Sequence, residues 1–104
     1  MTIYNKLVRD RIPDIIRADG KTPITRTLGD DEFLGKTLGK TVEEAIEFRD
    51  DPSITELADL QEMVNTARDA LGITAEQLEA ERLRRAEERG GFKKRIFLER
   101  VEDE

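Results

Sequence analysis

From Phe33 to Phe48 the apolar positions Leu34, Leu38, Val42, Ala45, Ile46 and Phe48 recur at helical spacing, which predicts an amphipathic helix with one apolar arc. Asp30 and Asp31 stand where N-caps are expected, and the helix is predicted to reach Arg49 or Asp50. Gly35 and Gly39 fall inside it, where they either permit close approach of another helix or mark a frayed first half. A second arc of Leu57, Leu60, Met63, Val64, Ala67 and Leu71 predicts a helix running to Leu71 and stopped by Gly72. Asp50-Asp51-Pro52-Ser53 forms the turn between the two, with Ser53 as N-cap and Glu56 at the position that completes a capping box.

The flanking segments have weaker patterns. Tyr4 to Ala18 mixes Leu7, Val8, Ile12, Ile15 and Ile16 with basic residues. Pro13 suits a first helical turn, so an irregular lead and a short helix to about Asp19 are expected before Gly20. Lys21 to Gly29 reads as a loop or short edge strand. Thr74, with Gln77 three residues on, caps a predicted helix over Ala75 to Arg89, whose thin apolar content (Leu78, Leu83, Ala86) suits a mostly solvated helix covering one side of a bundle. Gly90-Gly91 ends it. Arg95 to Val101 is read as a short strand or tail segment open to pairing with residues 22–28, and Glu102-Asp103-Glu104 as disordered. The expected fold is all-α: a single domain over residues 1–104, a small bundle of about four helices ending in a short C-terminal strand or tail segment.

The polar positions of the two central helices carry the candidate chemistry. Glu43-Glu44-x-x-Glu47 precedes the turn and Glu56-x-x-Asp59 follows it. Residues three or four apart share a helix face, so antiparallel packing would bring Glu44, Glu47, Glu56 and Asp59 together. Such a cluster repels itself unless a cation neutralises it, and oxygen-only ligands suit Mg²⁺, with Mn²⁺ as a substitute. The competing reading is a set of solvated helix faces, with Glu56 turned back to the Ser53 amide. Glu56 falls within the apolar arc of its helix and Asp59 at the edge, which favours a bound cation over two unpaired charges.

Composition narrows the chemistry further. The chain has no cysteine and no histidine, which excludes disulfides, thiolate or imidazole zinc sites, and cysteine or Ser-His nucleophiles. Acid/base work falls to carboxylates, Lys or Tyr4. The net charge of −6 is uneven: residues 1–30 carry six Lys/Arg against four Asp/Glu, residues 31–62 three against ten, and residues 63–104 nine against ten. An acidic centre with basic flanks argues against nucleic acid as the main partner and suits a metal with a small phosphate ligand. No run is long and apolar enough for a membrane span or a secretory signal, so a cytoplasmic protein is expected.

With these residues in view, the chain resembles the all-α nucleoside triphosphate pyrophosphohydrolase superfamily, in particular its small MazG-like and phosphoribosyl-ATP-pyrophosphohydrolase-like members. The resemblance spans nearly the whole chain, from KLVRDRIP at Lys6 to Pro13, through the two acidic signatures, to Arg89-Gly90-Gly91-Phe92. It implies metal ligation by Glu44, Glu47, Glu56 and Asp59, a role at the attacking water for Glu43, and a bundle completed by a second subunit as a homodimer or homotetramer. Two departures stand out. The segment between Glu47 and Glu56 is shorter than the family often shows. The stretch LQEMVNTARD lacks the histidine that many phosphoribosyl-ATP pyrophosphohydrolases carry after the Asp, which favours a nucleotide-pool role.

The reaction so implied is metal-dependent hydrolysis of a nucleoside triphosphate between its α and β phosphates, giving a monophosphate and pyrophosphate. Glu43 or Glu47 would orient or deprotonate the water. Lys6, Arg9, Arg11, Lys40, Arg89 and Lys93 are the pool for phosphate contacts, although solvated basic positions, or a Lys40–Glu44 helix pair, explain several of them equally. Phe33, Asn65 and Phe92 are candidates for the base. The alternatives are phosphoribosyl-ATP as substrate, in histidine biosynthesis, and a non-enzymatic oligomeric helical interaction protein.

Overall fold

A computed structural model describes residues 1–103 of the chain; of the three terminal residues expected to be disordered, Glu104 lies outside them. It contains four helices and, among the described residues, no strand: α1 (Ile12–Ala18), α2 (Asp30–Asp50), α3 (Ile54–Ala70) and α4 (Ala75–Arg89). The all-α expectation therefore holds. The chain divides into two compact units, Met1–Ile73 and the residues from Thr74 onward.

In the first unit, α2 and α3 pack against each other as an αα-hairpin across the three-residue connection Asp51-Pro52-Ser53. α2 runs unbroken through Gly35 and Gly39, and a Cβ at either would meet nothing nearby, so neither close approach within the chain nor fraying accounts for them. Its N-cap is Gly29 rather than Asp30 or Asp31. Those two aspartates and Glu32 lie inside the first turn instead, where negative charge faces the positive end of the helix dipole. Glu32 is further tied to Arg26 by paired hydrogen bonds of 2.9 and 2.7 Å, which anchor the preceding loop. Residues 21–29 form that loop, without strand character.

The turn into α3 follows the capping chemistry only in part. The Ser53 hydroxyl accepts from the Glu56 amide at 3.2 Å. The Glu56 side chain makes no return bond to Ser53 and points elsewhere. α3 ends with Leu71 as C-cap and Gly72 at φ +72°, in the left-handed region that glycine tolerates.

The apolar arcs are only partly covered inside the chain, with Leu34 and Phe48 of α2 and Leu60 and Ala67 of α3 half-buried. Met63 is the one buried apolar side chain among the described residues, and Thr37 and Glu44 are the buried positions of α2. Leu38, Val42 and Ile46 of α2 and Leu57, Val64 and Leu71 of α3 are exposed.

In the second unit, Thr74 and Gln77 form a complete capping box, with reciprocal bonds of 3.0 and 2.8 Å. α4 is laced by ion pairs of its own, Arg82 with Glu79 and Arg84 with both Glu81 and Glu88. Of the strand and tail segment open to Arg95–Val101, the structure shows the tail. Arg95 takes φ +58° in a turn closed by its amide on the Phe92 carbonyl at 3.1 Å, and no second strand pairs with the residues that follow. Without that ladder, β-branched content alone does not hold a strand.

Candidate functional site

The two acidic signatures converge because α2 and α3 approach across so short a turn. Glu44 of α2 and Glu56 and Asp59 of α3 each place a carboxylate oxygen within 4.8 Å of the others. Glu44 is only 9% exposed, and Glu56 and Asp59 are half-buried. Among the described residues, Glu44 Oε2 and Glu56 Oε2 are buried without any hydrogen-bond partner. A buried carboxylate oxygen left unpaired is costly, and two that converge are more so. Glu56 thus gives up the capping role open to it and joins the cluster, whereas Gln77 at the equivalent position of α4 caps its own helix.

Electrostatics agree with this geometry. Burial pushes the Glu44 carboxyl above the ordinary glutamate range, and the neighbouring Glu47 charge pushes it further, while Lys40 opposes both. Glu56 is raised by burial first, then by the charges of Glu47, Asp59 and Asp51. Glu47 therefore lies beside both residues, although its oxygens stand outside the tightest trio. Glu43, two turns before the helix end, is exposed and perturbs neither.

The residues fit a hard cation. Around Mg²⁺, ligand oxygens at about 2.1 Å lie no more than about 4.2 Å apart, a separation that three oxygens within 4.8 Å reach with small side-chain rotations. Glu44, Glu56 and Asp59, with Glu47 adjacent, offer oxygen donors alone, the set that hard divalent ions prefer.

Two of the basic residues expected at phosphate lie at this cluster. Arg9 Nη2 donates to Asp59 Oδ1 at 2.9 Å, and Lys40 Nζ stands 3.7 Å from Glu44 Oε1, the i,i+4 pair the spacing allowed. Lys6 sits over the Tyr4 ring, 5.6 Å from its centroid, and Arg11 is the exposed N-cap residue of α1. Arg89 closes α4 and Lys93 follows it, both exposed, in the second unit. Of the base candidates, Phe33 is half-buried, Asn65 accepts from Gln61 at 3.1 Å, and Phe92 is almost wholly exposed.

Two features were not legible beforehand. Asp51 contributes to the field at Glu56, which its place in the turn could have suggested. The buried Thr37, whose hydroxyl is also unpartnered, lies outside the predicted apolar arc and looks unremarkable in sequence.

No family model matches the chain, and no solved structure matches it significantly. Among curated proteins it is similar to an uncharacterized protein of Mycolicibacterium smegmatis, at 54% identity over 44 residues. The shared segment covers 42% of this chain and 45% of that protein, so the chain spans less than half the length of the relative it matches.

Proposed function

We propose that the protein is a metal-dependent nucleoside triphosphate pyrophosphohydrolase acting in nucleotide-pool house-cleaning, as a cytoplasmic homodimer or homotetramer. One observation carries the reading: from two helices, Glu44, Glu56 and Asp59 converge within 4.8 Å, with buried oxygens of Glu44 and Glu56 left without a partner. The KLVRDRIP opening and the ordered acidic signatures support it through their resemblance to that superfamily.

Glu44, Glu56 and Asp59 would hold Mg²⁺, with Glu47 as a further ligand. The bound ion supplies Lewis-acid neutralisation of the triphosphate oxygens. Glu47, next to the trio, is placed to orient a water and accept its proton, so that the oxygen bonds to phosphorus as the α–β phosphoanhydride breaks and pyrophosphate leaves. Arg9 and Lys40, already at the cluster, are the residues positioned to meet phosphate oxygens, and the guanidinium suits a bidentate contact.

The test is pyrophosphate release from a panel of canonical, deoxy and damaged nucleoside triphosphates and phosphoribosyl-ATP, with Mg²⁺ or with EDTA. Metal-dependent pyrophosphate from a nucleoside triphosphate is expected. Release from phosphoribosyl-ATP alone would move the protein to histidine biosynthesis, and release from none of them, with the helices intact, would sink the enzymatic reading.

A further inference from the structure

A cation of the chain already sits at the acidic trio without belonging to either of its helices. Arg9 Nη2 donates to Asp59 Oδ1 at 2.9 Å, and among the described residues the guanidinium makes no other side-chain hydrogen bond. Lys40, also at the trio, is paired with Glu44 along α2 and stays with its own helix. Lys6 lies over the Tyr4 ring, and Arg11 makes no side-chain cap on α1. Arg9 is thus the cation that a separate segment brings to the carboxylates.

That segment is lightly held. The residues before α1 form no helix or strand, and among the described residues no amide from Met1 to Arg11 donates to a backbone carbonyl. Leu7 and Val8 are half-buried, whereas Met1, Ile3 and Tyr4 are largely exposed. α1 is seven residues long and has no buried residue. Among the described residues, the Arg9–Asp59 bond is therefore the one directional contact tying the chain ahead of α1 to the hairpin. The bond is also weak, because the Arg9 side chain is 58% exposed and that of Asp59 35%. A divalent ion carries twice the charge of the guanidinium and draws on Asp59 together with Glu44 and Glu56, whose buried oxygens lack partners. Ion and guanidinium are like charges competing for one carboxylate, and the ion has three carboxylates to hold it.

We infer that Arg9 is a built-in counter-ion and latch: a divalent cation entering the trio displaces it from Asp59, loosens the segment before α1 and leaves the guanidinium free for a phosphate oxygen. This rests on the metal-binding reading of the trio and adds an order of events to it. In the metal-free chain Arg9 is occupied by Asp59, and the remaining carboxylates repel an anion that arrives without its metal. Once the cation is bound, the carboxylates are neutralised and the donors of Arg9 are released together, so cation precedes phosphate.

The segment carries its own reporter, since Tyr4 is the single tyrosine of a chain without tryptophan. Tyrosine fluorescence anisotropy of the full chain in EDTA and in Mg²⁺, with Mg²⁺ binding followed separately by calorimetry, tests the latch. Arg9→Ala breaks the contact from one end and Asp59→Ala from the other. In EDTA both variants are expected to show lower anisotropy than the parent. Mg²⁺ is expected to bring the parent at least halfway to the Arg9→Ala value and to leave Arg9→Ala itself unchanged. Variants that match the parent in EDTA overturn the inference whatever the metal does, since the contact then holds nothing. A parent that binds Mg²⁺ at unchanged anisotropy overturns it as well, and leaves the metal reading standing. A parent that binds no Mg²⁺ overturns the metal reading, and the displacement with it, even where both variants are loosened in EDTA.

Discussion

Arg9 and Asp59, fifty positions apart, are joined by a 2.9 Å hydrogen bond between a guanidinium and a carboxylate that also belongs to the acidic trio. The residue expected at substrate phosphate thus begins at a proposed metal ligand, as the cation that balances Asp59. Arg9→Ala removes a competitor for that oxygen, and binding of Mn²⁺ or Mg²⁺ in the absence of substrate is expected to tighten by about two- to fivefold, the range of a partly exposed ion pair. Calorimetric titration checks this; unchanged or weaker metal binding would show that Arg9 does not compete at the site.

Glu44→Gln keeps the shape of the side chain and removes its charge. The metal-free variant is expected to melt a few degrees higher than the parent, the size of change that about 1 kcal/mol produces in a domain of this length. The stabilisation that Mg²⁺ gives the parent is expected to disappear. Thermal melts with and without Mg²⁺ measure both effects, and an undiminished response to Mg²⁺ would exclude Glu44 as a ligand.

Glu47→Gln is expected to abolish pyrophosphate release while leaving the helical circular dichroism unchanged, because Glu47 is exposed at the edge of the trio and holds no helix cap. Full turnover in this variant would exclude Glu47 as the group serving the water.

The raised carboxyls set a sign for pH. Glu44 and Glu56 bind protons more tightly in the folded chain than in the unfolded one, so their contribution to stability is greatest below the ordinary glutamate range and is lost as pH rises through it toward the raised values. Glu32, Glu79 and Glu81, lowered by their arginine partners, act in the opposite sense and weakly, being exposed. Comparing metal-free parent with Glu44→Gln cancels that background. The advantage of Glu44→Gln is expected to grow from acid to neutral pH, and an advantage that shrinks over this range would contradict the raised carboxyl.

Ser53→Ala deletes the hydroxyl that receives the Glu56 amide and should cost about 1 kcal/mol. Thr74→Ala deletes one half of a complete box and is expected to lower the helicity of α4. Chemical denaturation followed by circular dichroism reads both.

Much of the first-order structure was legible locally. The helix over Ala75–Arg89 follows from the Thr74/Gln77 box and the glycines after it, and the end of α3 from Gly72, because capping and backbone freedom act within a few residues. Of the two readings of Arg95–Val101, strand or tail segment, the tail holds, since a strand needs a ladder from elsewhere in the chain and the β-leaning residues there find none.

The sequence by itself determined the helices, the turn at Asp51-Pro52-Ser53, the oxygen-only chemistry forced by the lack of cysteine and histidine, and the spacing that puts carboxylates on matching helix faces. Only the tertiary structure decided between two uses of the same residues. Glu56 could cap its helix or face Glu44, and packing of α3 on α2 chose the second. Leu38 and Val42 could fill a core or form an outer face, and the rotation of α2 that buries Thr37 and Glu44 left them outside. Helical periodicity defines which residues lie on an arc, but the direction that arc faces is fixed by neighbours distant in sequence, whose contacts carry no local signal.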